Sequence, residues 1–128
     1  MNTKMPNSRR NLDIAIDRIF GASENHLQLH HQIAQKLHAL SAEGSERAHD
    51  MIDLQIICSN EKVDFSKTKN ACERLFAFRK QQSWPPRIVK GVNWETLYES
   101  QVNELDVQKK IDEAINWTND LVKVISNS

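Results

Sequence analysis

Apolar residues recur three and four positions apart through most of the chain, the spacing that gathers them on one side of an α-helix. Leu12, Ala15, Ile16, Ile19 and Phe20 predict a first helix that opens at Ser8 and stops at Gly21. Ser23 is the expected cap of a second helix reaching about Ala42, with Leu27, Ile33, Ala34, Leu37 and Leu40 as its stripe and Gly44 beyond its end. Ser45 heads a third, holding Ala48, Met51, Ile52, Ile56 and Ile57. Ile52, Leu54 and Ile56 also alternate as in a short strand, but the leading Ser-Glu-Arg-Ala favours helix. Ser66 caps a fourth through about Gln82, carrying Ala71, Cys72, Leu75, Phe76 and Phe78.

Ser83-Trp84-Pro85-Pro86 breaks the pattern, because consecutive prolines offer no N–H and push the preceding residue out of the α region. Residues 83–92 therefore read as an extended connector. Asn93 caps a fifth helix with Trp94, Leu97, Tyr98, Val102 and Leu105 on one face. Asp106 starts a sixth, in which Val107, Ile111, Ala114, Ile115, Leu121, Val122 and Ile125 cover a wide arc. The expected fold is all-α: a compact bundle of five to six helices, with a Trp-Pro-Pro break before a C-terminal helical hairpin. Residues 1–128 form one helical domain in this reading, with the polar stretch 1–7 disordered. Its core should include Leu12, Ile16, Ile19, Leu37, Leu75, Leu97, Ile111, Ile115 and Val122.

Composition agrees with that fold. A chain of 128 residues buries roughly two-thirds of its unfolded surface, enough for one core. Three Gly and three Pro are too few for a many-turned β architecture. Cys58 and Cys72 have no Cys-x-x-Cys spacing, which excludes a zinc ribbon or a thioredoxin-type pair; both sit among apolar neighbours, as buried reduced thiols do. Met1 to Arg10 lacks the apolar core of an export signal, and no apolar run approaches the roughly 18 residues of a membrane span. A cytoplasmic protein without a membrane partner is the expectation.

Charge adds a local signal only. Seventeen basic residues balance seventeen acidic ones, so bulk charge advertises no polyanionic partner. Yet segment 65–90 sets Lys67, Lys69, Arg74, Arg79, Lys80, Arg87 and Lys90 against Glu73 alone. Segment 91–128 reverses this, with seven acids against Lys109, Lys110 and Lys123. The basic part either packs on the acidic hairpin or faces a partner. Trp84, beside the prolines, either plugs the bundle end or serves as a contact anchor.

Candidate chemistry is sparse. Gly21, Gly44 and Gly91 are too scattered for a phosphate-cradling loop, and there is no Gly-x-Ser-x-Gly or His-Glu-x-x-His. His26 and His30 share a helical face, as do His31 and His38, but a metal site needs further ligands; His49 and Asp50 would have to supply them. The acid pairs Asp13/Asp17 and Glu95/Glu99, four apart, read as solvated surface. The sequence therefore predicts no catalytic residue, no metal and no cofactor. It predicts a non-catalytic interaction protein (an antitoxin, immunity protein, adaptor or small helical subunit) that binds another protein through Arg79, Lys80, Trp84, Arg87 and Lys90. The alternative is a nucleic-acid-binding helical protein, a ribonucleoprotein small subunit using the basic 65–90 segment.

Overall fold

The computed structural model describes residues 29–128. Five helices and no strand occur among these: α1 (Leu29–Ser41), α2 (Asp50–Asn60), α3 (Phe65–Arg79), α4 (Trp94–Glu99) and α5 (Ile111–Ser126). The expected frayed stretch 1–7, the first helix and the Ser23 cap lie outside the described residues, as do Leu12, Ile16 and Ile19.

α1 lies against α2 and α3, and α5 closes the bundle against α2, α3 and α4. One apolar cluster joins all five: Ile33, Leu37 and Leu40 from α1, Met51, Leu54 and Ile57 from α2, Cys72 from α3, Trp94 and Tyr98 from α4, and Ile111, Val122 and Ile125 from α5. Leu37, Ile111, Ile115 and Val122 are buried as the periodicity requires, while Leu75 and Leu97 pack on the rim.

Element ends differ from the sequence expectation where a local hydrogen bond outcompetes the apolar pattern. Ser45 Oγ accepts from Arg47 N (3.1 Å), which forms a turn, and the third predicted helix opens at Asp50 instead of Ser45. Asp64, not Ser66, caps α3, its carboxylate accepting from Lys67 N (3.1 Å). That helix ends at Arg79 because Lys80 turns left-handed (φ 56°).

The fifth helix is shorter than its pattern, six residues only, and 100–110 runs in turns. Val102 is nevertheless buried, so the apolar spacing there marks inward residues without a helix to carry them. The Lys109 ammonium donates to the carbonyls of Val102, Asn103 and Leu105, satisfying acceptors that a continued helix would have used. The sixth helix starts at Ile111, not Asp106, where Ile111 N donates to Glu99 Oε2 (3.0 Å). Asp112 and Glu113 in its first turn and Lys123 in its last complement the helix dipole.

The Trp-Pro-Pro break leads into the connector as predicted, with a cis Trp84–Pro85 bond. Asn119 of α5 pins the connector from both sides, donating to Ile88 O (3.0 Å) and accepting from Ile88 N (2.8 Å). Ile88 is thereby held in the core.

Candidate functional site

Three buried Lys or Asp side chains occur among the described residues, Lys36, Asp50 and Asp53, and they form one cluster. Asp50 and Asp53 stand three apart on the first turn of α2, so both carboxylates leave the same face. Lys36 reaches across from α1 and divides its ammonium between Asp50 Oδ1 (3.2 Å) and Asp53 Oδ2 (3.0 Å). Arg47, in the turn before α2, closes the outer side, with Nε on Asp50 Oδ2 (3.1 Å) and one terminal nitrogen on Asp50 Oδ1 (3.3 Å). His49 Nε2 adds a contact to Asp50 Oδ1 at 3.4 Å.

The two cations and two carboxylates balance, and they form a gradient of exposure. Asp50 and Asp53 are sealed, the Lys36 side chain is 11 % exposed and that of Arg47 is 53 % exposed. A guanidinium carries five N–H donors and an ammonium three. Asp50 takes two of Arg47's, and the carboxylates take two of Lys36's. The remaining donors have no acceptor among the described residues, and Arg47 opens to solvent. Asp50 and Asp53 act as positioning groups for these cations.

Carboxylates so occupied do not by themselves make a metal centre, and no grouping of three or more His, Cys, Asp or Glu among the described residues could hold one. His26 lies outside the described residues. His30 approaches Thr68 Oγ1 (3.4 Å); burial lowers its pKa, with Asp64 pulling the other way. His38 packs edge-on against Phe76 and is also shifted down, by burial and then by Arg79. Burial pushes the Cys58 thiol up to about 11; burial and Glu73 push that of Cys72 up to about 12. Both cysteines are free.

Of the residues expected from sequence, Lys80 and Trp84 line one pocket. Arg79, Lys80 and Arg87 are exposed. Lys90 pairs with Asp112 of α5 (3.2 Å), so at that point the basic segment does pack on the acidic one. Trp84 is half-buried with its ring edge-on to Phe76 (5.4 Å), a plug at the end of α1 and α3. Sequence reasoning missed Lys36, Arg47, Asp50 and Asp53 as a group. The signal was two aspartates one turn apart in Asp50-Met51-Ile52-Asp53-Leu54, where carboxylates must be paired to be buried.

A guanidinium held by one carboxylate can still bond phosphate oxygens through its remaining N–H groups. Residues 3–127 match the family described as nucleotidyl transferase AbiEii toxin, type IV TA system, and the chain belongs to that family. No curated protein matches the chain. The family overturns the expectation of a non-catalytic binding protein and its nucleic-acid-binding alternative, because its members are described as transferases, pointing to an enzyme. The family is described as a toxin of a toxin–antitoxin system, whereas an antitoxin was one of the four non-catalytic roles expected from sequence. Among the described residues no helix is long and apolar enough to cross a membrane.

Proposed function

We propose that this chain serves a nucleotidyl-transfer toxin and that its own part in the reaction is electrostatic, carried by Arg47 and Lys36. In such a transfer an acceptor hydroxyl attacks the α-phosphorus of a nucleoside triphosphate. The new P–O bond forms as the bond to pyrophosphate breaks; the hydroxyl proton passes to water, and pyrophosphate leaves with the electron pair and the extra negative charge. Positioned cations stabilise that charge without reorganising when it develops. Arg47, tethered to Asp50 through two nitrogens, and Lys36, braced by both aspartates, match this task. The observation that carries the reading is the exposure gradient: sealed anions hold a cation that opens to solvent.

The cytoplasm, where nucleoside triphosphates are abundant, is the proposed compartment. The antitoxin of the same system is the proposed protein partner. Arg79, Lys80 and Arg87 around Trp84, together with Lys90, form the surface proposed to meet it.

The test combines growth and chemistry. Induced expression of the full chain should arrest its host, and purified protein should transfer label from an α-³²P nucleoside triphosphate to cellular acceptors. Arg47→Ala should fold, since its side chain is half-exposed, yet lose transfer by about 10²–10³-fold, the usual cost of one charge-stabilising donor. An Arg47→Ala protein as toxic and as active as wild type would refute the assignment.

A further inference from the structure

Where α1 packs on α3, His38 and Phe76 meet, and Trp84 from the connector completes a row of three rings. His38 lies edge-on to Phe76 at 4.9 Å, and Phe76 lies edge-on to Trp84 at 5.4 Å. His38 and Phe76 are buried, and Trp84 is half-buried. At each end of the row a ring nitrogen is sealed from solvent with nothing to bond. Trp84 Nε1 and His38 Nε2 are the two buried side-chain polar atoms without a partner among the described residues. Trp94 shows the contrary arrangement, its Nε1 donating to Ser45 O at 2.7 Å.

A buried N–H without an acceptor bears the full penalty of leaving water, so Trp84 is held by its apolar contacts alone. Its surroundings give it room to leave them. Residues 81–84 and the Glu73, Phe76, Ala77 and Lys80 side of α3 and its cap enclose a pocket of 510 Å³ beside the ring. The backbone is fixed on both sides of this point. Gln82 Nε2 donates to His38 O and to Ser41 Oγ, 2.9 Å each, and Ile88 is pinned through N and O by Asn119. Between these anchors residues 83–87 make no hydrogen bond among the described residues.

We propose that Trp84 is a hinged plug with two positions, one seated on Phe76 and one turned into the adjoining pocket, with residues 83–87 as the moving segment. Turning out gives up ring contacts and brings the indole N–H to water, and it opens His38 Nε2 to water in the same step. Each position supplies what the other lacks, apolar contact in the first and hydrogen bonds in the second, which holds the two close in free energy. Turned out, the indole stands beside Lys80 on the surface proposed to meet a protein partner. The plug then sets how much aromatic area that surface presents, a consequence that rests on the partner reading, whereas the motion itself does not.

Hydrogen exchange of the full chain, followed by NMR with ¹⁵N label, tests the proposal. Trp84→Phe, Trp94→Phe and Trp117→Phe assign the three indole signals, any two of them sufficing. The Trp84 indole N–H should exchange at least tenfold faster than that of Trp94, which Ser45 O holds. The Ile88 backbone N–H, held by Asn119 Oδ1, should stay protected, confining the motion to residues 83–87. Trp84→Phe keeps a ring on Phe76 without the unpaired N–H, so it should not lower the melting temperature. Protection of the Trp84 N–H equal to that of Trp94 would overturn the proposal. Loss of protection at Ile88 together with Trp84 would overturn it too, since the whole connector would then be unfolding. So would a Trp84→Phe protein that melts more than about 5 °C below wild type, because the N–H would then be bonded where it sits.

Discussion

Replacing Lys36 with Met tests what holds α1 to α2. The substitution keeps most of the side-chain volume, so no large cavity opens, and the cost is electrostatic. Asp50 retains Arg47 at 3.1 Å and the His49 contact, while Asp53 loses its 3.0 Å bond to the Lys36 ammonium inside the core. Removing one member of a buried ion pair typically costs about 3–5 kcal/mol, because the remaining charge stays desolvated. A domain of this size has a total stability of about 5–15 kcal/mol, so Lys36→Met should lower the melting temperature by roughly 10–20 °C. Urea unfolding followed by circular dichroism measures this directly. Lys36→Met/Asp53→Asn should recover more than about 1 kcal/mol over the single variant, since a buried negative charge is removed together with the cation that offset it. A loss below about 1 kcal/mol for Lys36→Met, or a double variant less stable than the single, would refute the account of a paired, desolvated cluster.

Three further outcomes follow from other contacts. Tyr98 is fully buried, donates to Gln108 O (2.6 Å) and accepts from Gln55 Nε2 (2.8 Å), so Tyr98→Phe should cost about 1–3 kcal/mol in urea unfolding. Burial first, and Arg79 second, hold the pKa of His38 below its model-compound value of 6.5. The unfolded chain therefore binds that proton more readily, and melting temperature should fall as pH drops below about 6.5, a slope that His38→Leu should flatten. At Gly91 a Cβ would sit 2.6 Å from Trp94 Nε1, which is itself fixed by its bond to Ser45 O (2.7 Å). Gly91→Ala should lose about 1–3 kcal/mol by forcing that ring off its acceptor, visible as altered tryptophan fluorescence.

The bundle was legible because its apolar spacing is strong where packing is deepest. Ile111, Ala114, Ile115, Val122 and Ile125 repeat at helical steps and all lie buried on α5. Boundaries were less legible, since each depends on a particular acceptor. Asp64 outranks Ser66 at the start of α3, and nothing in the apolar pattern announces that Lys109 gathers three carbonyls and ends the helical run before Val102. Glu95 and Glu99 invited attention as a paired surface, and Glu99 instead serves Ile111 N. The basic 65–90 segment was a correct observation about charge, and its members meet different surroundings: Lys90 pairs with Asp112, Lys67 and Arg74 line a pocket with His30 and His31, and Lys80 lines one with Trp84.

The cluster was illegible for a reason of its own. α2 is apolar on nearly every side, so Asp50 and Asp53 read as interruptions of a core helix. Their partner Lys36 lies in another helix, inside the stripe Ile33, Ala34, Leu37 and Leu40, where a lysine also reads as an interruption. Two local anomalies become one feature only when α1 and α2 are brought together. Stability alone gives weak cause for it, because apolar residues of similar volume usually hold such a place as well as a buried ion pair or better. What an apolar replacement cannot supply is a guanidinium fixed at the surface by a carboxylate that water does not reach. Arg47 is held in that way, with donors to spare, and phosphate chemistry requires a cation so placed before the charge arrives.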